Sequence, residues 1–293
     1  MSEQEGVAKL IQEIPKDYQN IKNPEDIPWF VKELTNIKPD ARDLFENYCK
    51  IPSEDVVPHI KQIRDKAFKV YPYPCLGHWG FLDLSISQSP KYDEILQRVK
   101  NGDNYLDLGC CFGQDIRKLV HDGAPSEHTF GSDLQKDFMD LGYDLFLDKS
   151  TLKTTFIPAN IFEEGTGLMQ LVSKIDIVHA ASFFHLFDWP EQVQIAKRLV
   201  TILKAKPGSL VVGRQIGHTD SGELARQIES SKSRFRHNEA SFARMWKEVG
   251  EATGTDWLVD AHLEAEDLGK KSNFKYNFIP AGTRWLRFTV CRL

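Results

Sequence analysis

Two acidic residues and two glycines carry the clearest chemical signal in this sequence. Asp107 lies at the end of a short apolar segment, and Gly109 and Gly113 follow it in a turn. Glycine has no Cβ and accepts positive φ, so backbone and ligand can approach closely there. A second apolar segment ends in Asp133, 20 positions after Gly113, where a doubly wound fold presents an acidic residue to a ribose. The pattern predicts a site for a nucleoside-containing cofactor.

The charge at this turn favours S-adenosylmethionine over a dinucleotide. The dinucleotide fingerprint needs three glycines, and counted from Gly109 this chain has Cys111 and Gln114 at the second and third places. A carboxylate at Asp107 attracts the sulfonium and ammonium groups of S-adenosylmethionine and repels a pyrophosphate. The alternative is structural, with Asp107 capping the next helix and the glycines only forming a tight turn.

Composition argues against several other functions. The chain of 293 residues has a formal net charge of -5 and a sequence pI near 6.0, without the basic surface that nucleic-acid binding requires. It shows no leader pattern and no apolar run of the roughly 18 residues that a membrane helix needs. Its 5 cysteines form no Cys-x-x-Cys pair, which favours reduced thiols. We therefore expect a cytoplasmic protein that binds no nucleic acid and does not insert into membranes.

The pattern of apolar residues divides the chain near residue 90. Residues 1–90 predict a helical N-terminal extension, and Val56, Ile60, Ile63 and Ala67 share one helical face in it. In residues 91–293 strands alternate with helices, which is typical of a parallel sheet covered on both faces. The predicted strands are Tyr105–Leu108, Thr129–Ser132, Thr154–Pro158, Ile175–Ala180, Ser209–Gly213, Trp257–Glu264 and Thr283–Arg292. The last two pair antiparallel at one edge, so we expect a Rossmann-like, doubly wound α/β fold with a seven-stranded, mainly parallel sheet.

Three segments resemble a known family. They are 71–82 (YPYPCLGHWGFL), 106–115 (LDLGCCFGQD) and 235–246 (FRHNEASFARMW). About residues 90 to 293 resemble class I S-adenosylmethionine-dependent methyltransferases, and the three segments are similar to those of fungal meroterpenoid-pathway enzymes. The resemblance implies O-methylation of a carboxylic acid or a nearby oxygen. It departs at Cys111, where the superfamily usually has glycine, which bears on the geometry of the turn.

The resemblance also implies the cofactor contacts. Asp107, Gly109 and Cys110 line the methionine end, Asp133 binds the ribose hydroxyls, and Leu134 lies against the adenine. Asn160 and Ile161 follow the third strand and hold the adenine edge, although Asn160 could instead be a helix cap or turn residue. The full predicted set is Asp107, Gly109, Cys110, Gly113, Asp133, Leu134, Asn160, Ile161 and Ala180.

A histidine and several aromatic residues follow the fourth predicted strand, where ligands of such sheets bind. His185 is the first candidate to hold or deprotonate the acceptor, and a structural histidine packed on the core is the alternative. His237 is the second catalytic candidate, and Arg234 beside it could pair with a carboxylate. A solvated basic face is the alternative for this cluster. The predicted substrate-binding residues are Tyr73, Trp79, Phe184, Arg234 and Trp246.

Aromatic residues also crowd a proline-containing loop of the N-terminal extension. Tyr73 and Trp79 lie there with Tyr71 and Phe81, which suggests a lid over a bulky apolar ligand. The alternative is a hydrophobic seam that joins the extension to the sheet.

The sequence leaves three functions open. The first is methylation of a small apolar carboxylic acid, which is ionised at neutral pH and needs no base. The second is methylation of a phenol or enol, which needs one. The third is a cofactor-binding cyclase or regulatory protein that does not methylate. We expect no metal, because the sequence shows no compact acidic cluster, and a homodimer is compatible with it.

Overall fold

A computed structural model describes residues 23–225, 233–270 and 279–293 of the chain. Its strands are, in chain order, β1 (Tyr105–Leu108), β2 (Thr129–Asp133), β3 (Thr155–Pro158), β4 (Ile177–His179), β5 (Leu210–His218), β6 (Gly222–Ala225), β7 (Ser233–Arg236), β8 (Trp257–Leu263) and β9 (Thr283–Arg292). Its α-helices are α1 (Pro39–Asp43), α2 (Ser53–Val70), α3 (Pro74–Gly77), α4 (Tyr92–Lys100), α5 (Gln114–His121), α6 (Lys136–Phe146), α7 (Trp189–Ile202) and α8 (Glu239–Thr253). A π-helical turn, Leu44–Tyr48, follows α1. Short 3-10 turns include Gly80–Asp83, Ser85–Gln88 and Phe184–Leu186.

Seven strands form one sheet in the order β3-β2-β1-β4-β5-β9-β8. The pairings from β3 to β5 are parallel, whereas β9 is antiparallel to both β5 and β8. This confirms the predicted Rossmann-like, mainly parallel sheet with antiparallel C-terminal strands. The carboxyl ends of β1, β2, β3 and β4 meet at one edge, which is where ligands of such sheets bind.

Local signals explain where the main helices begin. The side chain of Asp188 accepts the amide of Glu191, whose own side chain bonds back to the cap, and Pro190 lies in the first turn of α7. Asn238 and Ser241 form the same reciprocal cap at α8. Such capping boxes satisfy amides that the helix itself leaves unpaired.

Apolar side chains cover both faces of the sheet. One core lies between the sheet and α7 and α8, and includes Val178, Val211 and Trp246. On the opposite face α4 and α5 cover Tyr105 and Val212. The two cores fix the strands, and so hold the ligand edge of the sheet in place.

The N-terminal extension packs beside the sheet on α5 and α6. Phe45 stacks on Phe146 at 5.5 Å, and Phe81 meets Phe112 edge-on at 5.1 Å. The helical face predicted around Ile60 is buried in α2. The extension therefore shares a core with the cofactor-turn region, and its division from the domain at residue 90 stays a prediction.

Three features differ from the sequence prediction. β5 continues to His218, because it pairs with β9 along its whole length, whereas β4 is only 3 residues long. A two-stranded sheet of β6 and β7 was not predicted, because its strands are short and polar. Across the described ranges, no helix is long and apolar enough to cross a membrane.

Candidate active site

The turn after β1 takes glycine-like conformations at three positions. φ is 75° at Gly109, 51° at Cys111 and 67° at Gly113. A Cβ at Gly109 would lie 2.6 Å from the Phe183 ring, so only glycine fits there. Cys111 therefore keeps the left-handed backbone that a glycine would adopt, at a cost of about 1 kcal/mol. A cysteine in place of the usual glycine is therefore compatible with the backbone conformation of this turn.

Asp107 is buried beneath this turn with one oxygen open. Its Oδ1 accepts a hydrogen bond from Nδ1 of His179 at 3.0 Å, whereas Oδ2 has no partner among the described residues. Burial raises the pKa of Asp107, and the hydrogen bond from His179 opposes that shift. An unpaired carboxylate oxygen in the protein interior is costly, and the ammonium group of S-adenosylmethionine is a fitting partner for it.

His179 belongs to a hydrogen-bond chain that the sequence did not reveal. Its Nε2 lies 3.4 Å from Oγ of Ser85, which donates to Oδ2 of Asp115 at 3.1 Å. Because that hydroxyl proton goes to Asp115, the ring donates to Ser85 through Nε2 and to Asp107 through Nδ1, so it carries both protons. Burial lowers the pKa of His179, but Asp107 and then Asp115 outweigh it, and the pKa is raised.

Three residues of this hydrogen-bonded group could also act as metal ligands. Ligand atoms of Asp107, Asp115 and His179 lie within 4.8 Å of one another. Asp115 accepts from Ser85 and from the amide of Ile86, and both nitrogens of His179 are engaged. Among the residues that the structure describes, Oδ2 of Asp107 is the one ligand atom of this cluster without a partner. The other bonds support the turn, and the absence of a metal stays a prediction.

Asp133 is held at the end of β2 by two main-chain amides. Gln135 donates to Oδ1 at 3.0 Å, and Cys111 donates to Oδ2 at 2.9 Å. Burial raises the pKa of Asp133 to about 6. Each oxygen keeps a second lone pair, which fits two ribose hydroxyls. Burial raises the pKa of Tyr73, and the charge of Asp133 raises it further. Tyr73 therefore lies near Asp133, the predicted ribose-binding residue.

An aromatic trio lies beside the predicted adenine residues. Phe187 is 5.3 Å from both Phe162 and Phe183 between ring centroids. Asn160 accepts the amide of Phe162 at 3.1 Å and donates to Glu163 at 3.1 Å, so it forms a turn, and its oxygen keeps a lone pair for a ligand. Phe183 and Phe187 belong to the segment that the sequence analysis predicted at the acceptor site. Phe162 was not predicted as a site residue.

These features together fit S-adenosylmethionine. Asp107 offers an open carboxylate oxygen for the ammonium, Asp133 offers lone pairs for the ribose, and aromatic rings lie beside the adenine end. Gly109 and Gly113 give the close backbone approach. The two carboxylates and the turn after β1 therefore fit the chemistry of the predicted cofactor.

His185 is bound to β5 through one ring nitrogen. The main-chain amide of Ile216 donates to Nδ1 at 3.2 Å. Since an amide can only donate, Nδ1 is unprotonated, and a neutral ring carries its proton on Nε2. Burial, and then Arg236 and Arg234, place the pKa of His185 well below its usual value. The side chain is thus a neutral donor through Nε2.

Two arginines of β7 lie beside this histidine. Arg236 donates to the main-chain oxygen of His185, and the charge of Arg234 acts on the same ring. The structure therefore brings Arg234 near His185, and its pairing with a carboxylate stays a prediction. The pair makes the surroundings of His185 favourable for an anion.

The second histidine candidate lies in the core. His237 is fully buried, with Nδ1 2.9 Å from Oγ of Ser241 and Nε2 3.1 Å from Oε1 of Gln192. Burial, then Arg244, lowers its pKa to about 3. Both nitrogens hold α7 and α8 together, so the arrangement does not favour a catalytic role.

Three predicted substrate residues are also packed away from open surface. Phe184 lies in the core against Phe242 and Phe288, and Trp246 is 5.1 Å from Trp257. The guanidinium carbon of Arg64 lies over the ring of Trp79, 3.6 Å from the centroid of that ring. The packing of Trp79 agrees with the hydrophobic-seam alternative for the N-terminal loop, and direct substrate contact by all three residues stays a prediction.

Comparison with known proteins identifies the family. Residues 29–82 match the meroterpenoid methyltransferase N-terminal domain. The chain is 44% identical over 282 residues to O-methyltransferase atr3 of Stereocaulon alpinum, covering 95% of this chain and 80% of that protein. It is 47% identical over 236 residues to Asnovolin E/Chermesin D methyltransferase nvfJ of Aspergillus novofumigatus, covering 80% and 84%. Identity to O-methyltransferase phiE of a fungal species is 45% over 247 residues, covering 83% and 81%. The chain therefore belongs to the family of these fungal methyltransferases and is a class I, S-adenosylmethionine-dependent enzyme.

Proposed function

We propose that this enzyme methylates a carboxylate of a small apolar secondary metabolite and forms a methyl ester. The relatives support an oxygen acceptor, since two are named O-methyltransferases. A third is named for asnovolin E and chermesin D, and we propose acceptors of that general class for this chain. The finer choice of a carboxylate rests on the state of His185.

The hydrogen bond from Ile216 to His185 is the observation that carries this choice. It leaves Nε2 as a donor, which can hold an anionic oxygen but cannot remove a proton. Arg234 and Arg236 add positive charge beside the same ring. A carboxylic acid arrives ionised at neutral pH, so a donor and nearby positive charge are what it requires.

S-adenosylmethionine supplies a methyl group activated by its positively charged sulfur. The residues of this chain must align the acceptor with that group and exclude water, and alignment alone can contribute about 7 kcal/mol or more. Asp107 and Asp133 hold the cofactor, and His185 orients the acceptor oxygen. Excessive hydrogen bonding would weaken the nucleophile, and one neutral donor avoids this.

The N-terminal extension completes the enclosure in our proposal. Asp83 accepts from Arg214 of β5 at 2.9 Å and from Lys38 at 2.7 Å. Ser85 and Ile86 hold Asp115 beside the cofactor turn. These bonds support a cover over the site that is fixed to the sheet and to the cofactor turn.

The test uses the purified protein, S-adenosylmethionine labelled in the methyl group, and a panel of acceptors. The panel contains asnovolin E, chermesin D, and apolar aromatic acids paired with the corresponding phenols. We expect labelled product from acids, with the label released by mild alkali as an ester requires. Alkali-stable label on the phenols would favour the phenol or enol reaction. Binding of the cofactor without any labelled product would favour a non-methylating protein.

A further inference from the structure

Gln215 is a buried polar residue of β5 whose amide group is unpaired among the described residues. Gln215 is 0% exposed, and neither its amide oxygen nor its amide nitrogen has a hydrogen-bond partner among the described residues. Burying an amide without partners costs free energy that a folded protein rarely leaves uncompensated. A bound molecule could supply the hydrogen bonds that the Gln215 amide lacks.

Gln192 shows how this fold treats a structural glutamine. It is equally buried, but its Nε2 donates to the main-chain oxygens of Phe187 and Phe235 at 3.0 and 3.1 Å. Its Oε1 lies 3.1 Å from Nε2 of His237. Both ends of that amide are satisfied, whereas both the oxygen and the nitrogen of the Gln215 amide are unpaired among the described residues.

That location is the ligand edge of the sheet. The last residue of β4, His179, pairs with Val212, and Gln215 lies three residues further along β5, beyond the end of its neighbour. The next residue, Ile216, holds His185. Ligands of parallel sheets bind outside the carboxyl ends of the strands. One short stretch of β5 therefore carries both the bond that fixes His185 and the unpaired amide.

The side chain of Gln215 shares a sheet face with Gly213 and Gly217, because alternate residues of a strand point the same way. A Cβ on Gly213 would lie 2.4 Å from the main-chain oxygen of Ala180, and one on Gly217 2.5 Å from that of His237. The segments after β4 and before α8 thus approach this face closely on either side. Opposite Gln215 in the register is Leu286, which is apolar.

We propose that Gln215 recognises the acceptor through a neutral polar group other than the methylated oxygen. An amide both donates and accepts, so it matches a group with both capacities, such as a hydroxyl beside a carbonyl. This inference rests on the proposed function, because it assigns Gln215 to the acceptor of that reaction.

The test compares Gln215→Leu with Gln192→Leu as a matched control. Gln215→Leu removes unpaired polar atoms, so its Tm should equal or exceed that of the wild type, with unchanged S-adenosylhomocysteine binding by calorimetry. Gln192→Leu breaks three contacts and should lower Tm by several degrees. For the panel acid that the wild type methylates best, Gln215→Leu should raise KM at least about tenfold, because a site built for a hydrogen bond loses discrimination without it.

Two results would overturn the inference: a Tm loss in Gln215→Leu as large as that in Gln192→Leu, or an unchanged KM. If the wild type methylated no acceptor, the proposed function would fail. The Tm comparison, which needs no acceptor, would then still support or overturn the claim that Gln215 is unpaired.

Discussion

Nδ1 of His185 accepts a hydrogen bond from the main-chain amide of Ile216 at 3.2 Å. This bond fixes the tautomer of the neutral ring. A main-chain amide can only donate, so Nδ1 carries no proton and Nε2 carries it. The same bond also places His185 where a neighbouring strand would otherwise continue beside β5. The role of the residue thus follows from its attachment to the sheet.

His185→Gln should retain much of the activity that His185→Ala loses. A glutamine amide can present a donor near the position of Nε2, and it can never act as a base. We expect the rate of His185→Gln to fall by less than about tenfold and that of His185→Ala by about a hundredfold. Initial rates at saturating cofactor check this, and equal losses in both variants would point to a general base.

The rate should not fall between pH 8 and pH 6 through protonation of His185. Its pKa lies well below the ordinary value of 6.5, so the neutral form persists as the pH drops through that value. Loss begins only at more acidic pH. A profile of kcat against pH checks this, and a titration near pH 6.5 that disappears in His185→Gln would contradict the assignment.

Cofactor affinity should weaken as the pH falls through about 6, because the pKa of Asp133 is raised to about 6. Ribose hydroxyls donate to a carboxylate better than to a carboxylic acid, so binding favours the deprotonated form. We expect S-adenosylhomocysteine to bind about tenfold more weakly at pH 5 than at pH 7.5, one unit below the pKa. Calorimetry at both pH values checks this, with Asp133→Asn as the control that should lose the dependence.

His179 should stabilise the fold most at low pH. Its pKa is raised above the ordinary value of 6.5, so its contribution is fully present below that value and is lost as the pH rises through the folded-state pKa. The free energy of unfolding of the wild type minus that of His179→Asn should therefore shrink from pH 6 to pH 9. Urea unfolding measures it, and a difference that stayed constant would mean an uncharged ring.

Cys111→Gly should be more stable than Cys111→Ala. Both variants remove the thiol, but only glycine takes a φ of 51° without strain. We expect a difference of about 1 kcal/mol in the free energy of unfolding. Urea unfolding of the two variants checks this, and equal stability would mean that the turn relaxes.

The sequence predicted the fold and the cofactor turn because both depend on local patterns. Asp107 is the penultimate residue of β1 and Asp133 is the last residue of β2, and glycines mark the turn between strand and helix. Their positions therefore follow from the chain itself. The caps at Asp188 and Asn238, where α7 and α8 begin, are local signals of the same kind.

The acceptor side was harder to predict because burial depends on distant partners. His237 and Trp246 precede or lie on a helix near the site, yet they pack inward on Gln192 and Trp257. His179 looked like an ordinary strand residue, and its role depends on Ser85, 94 positions earlier in the chain. No pattern in the sequence could show which of these residues would meet.

The most direct test of the account counts protons. Transfer of a methyl group to a carboxylate releases no proton, whereas transfer to a phenol at neutral pH releases one for each turnover. A weakly buffered reaction with a pH indicator at pH 7.5, run beside quantification of S-adenosylhomocysteine, measures the ratio. If the natural acceptor is a carboxylate, the ratio of protons released to S-adenosylhomocysteine formed should be close to zero. A ratio close to one would contradict the proposed formation of a methyl ester.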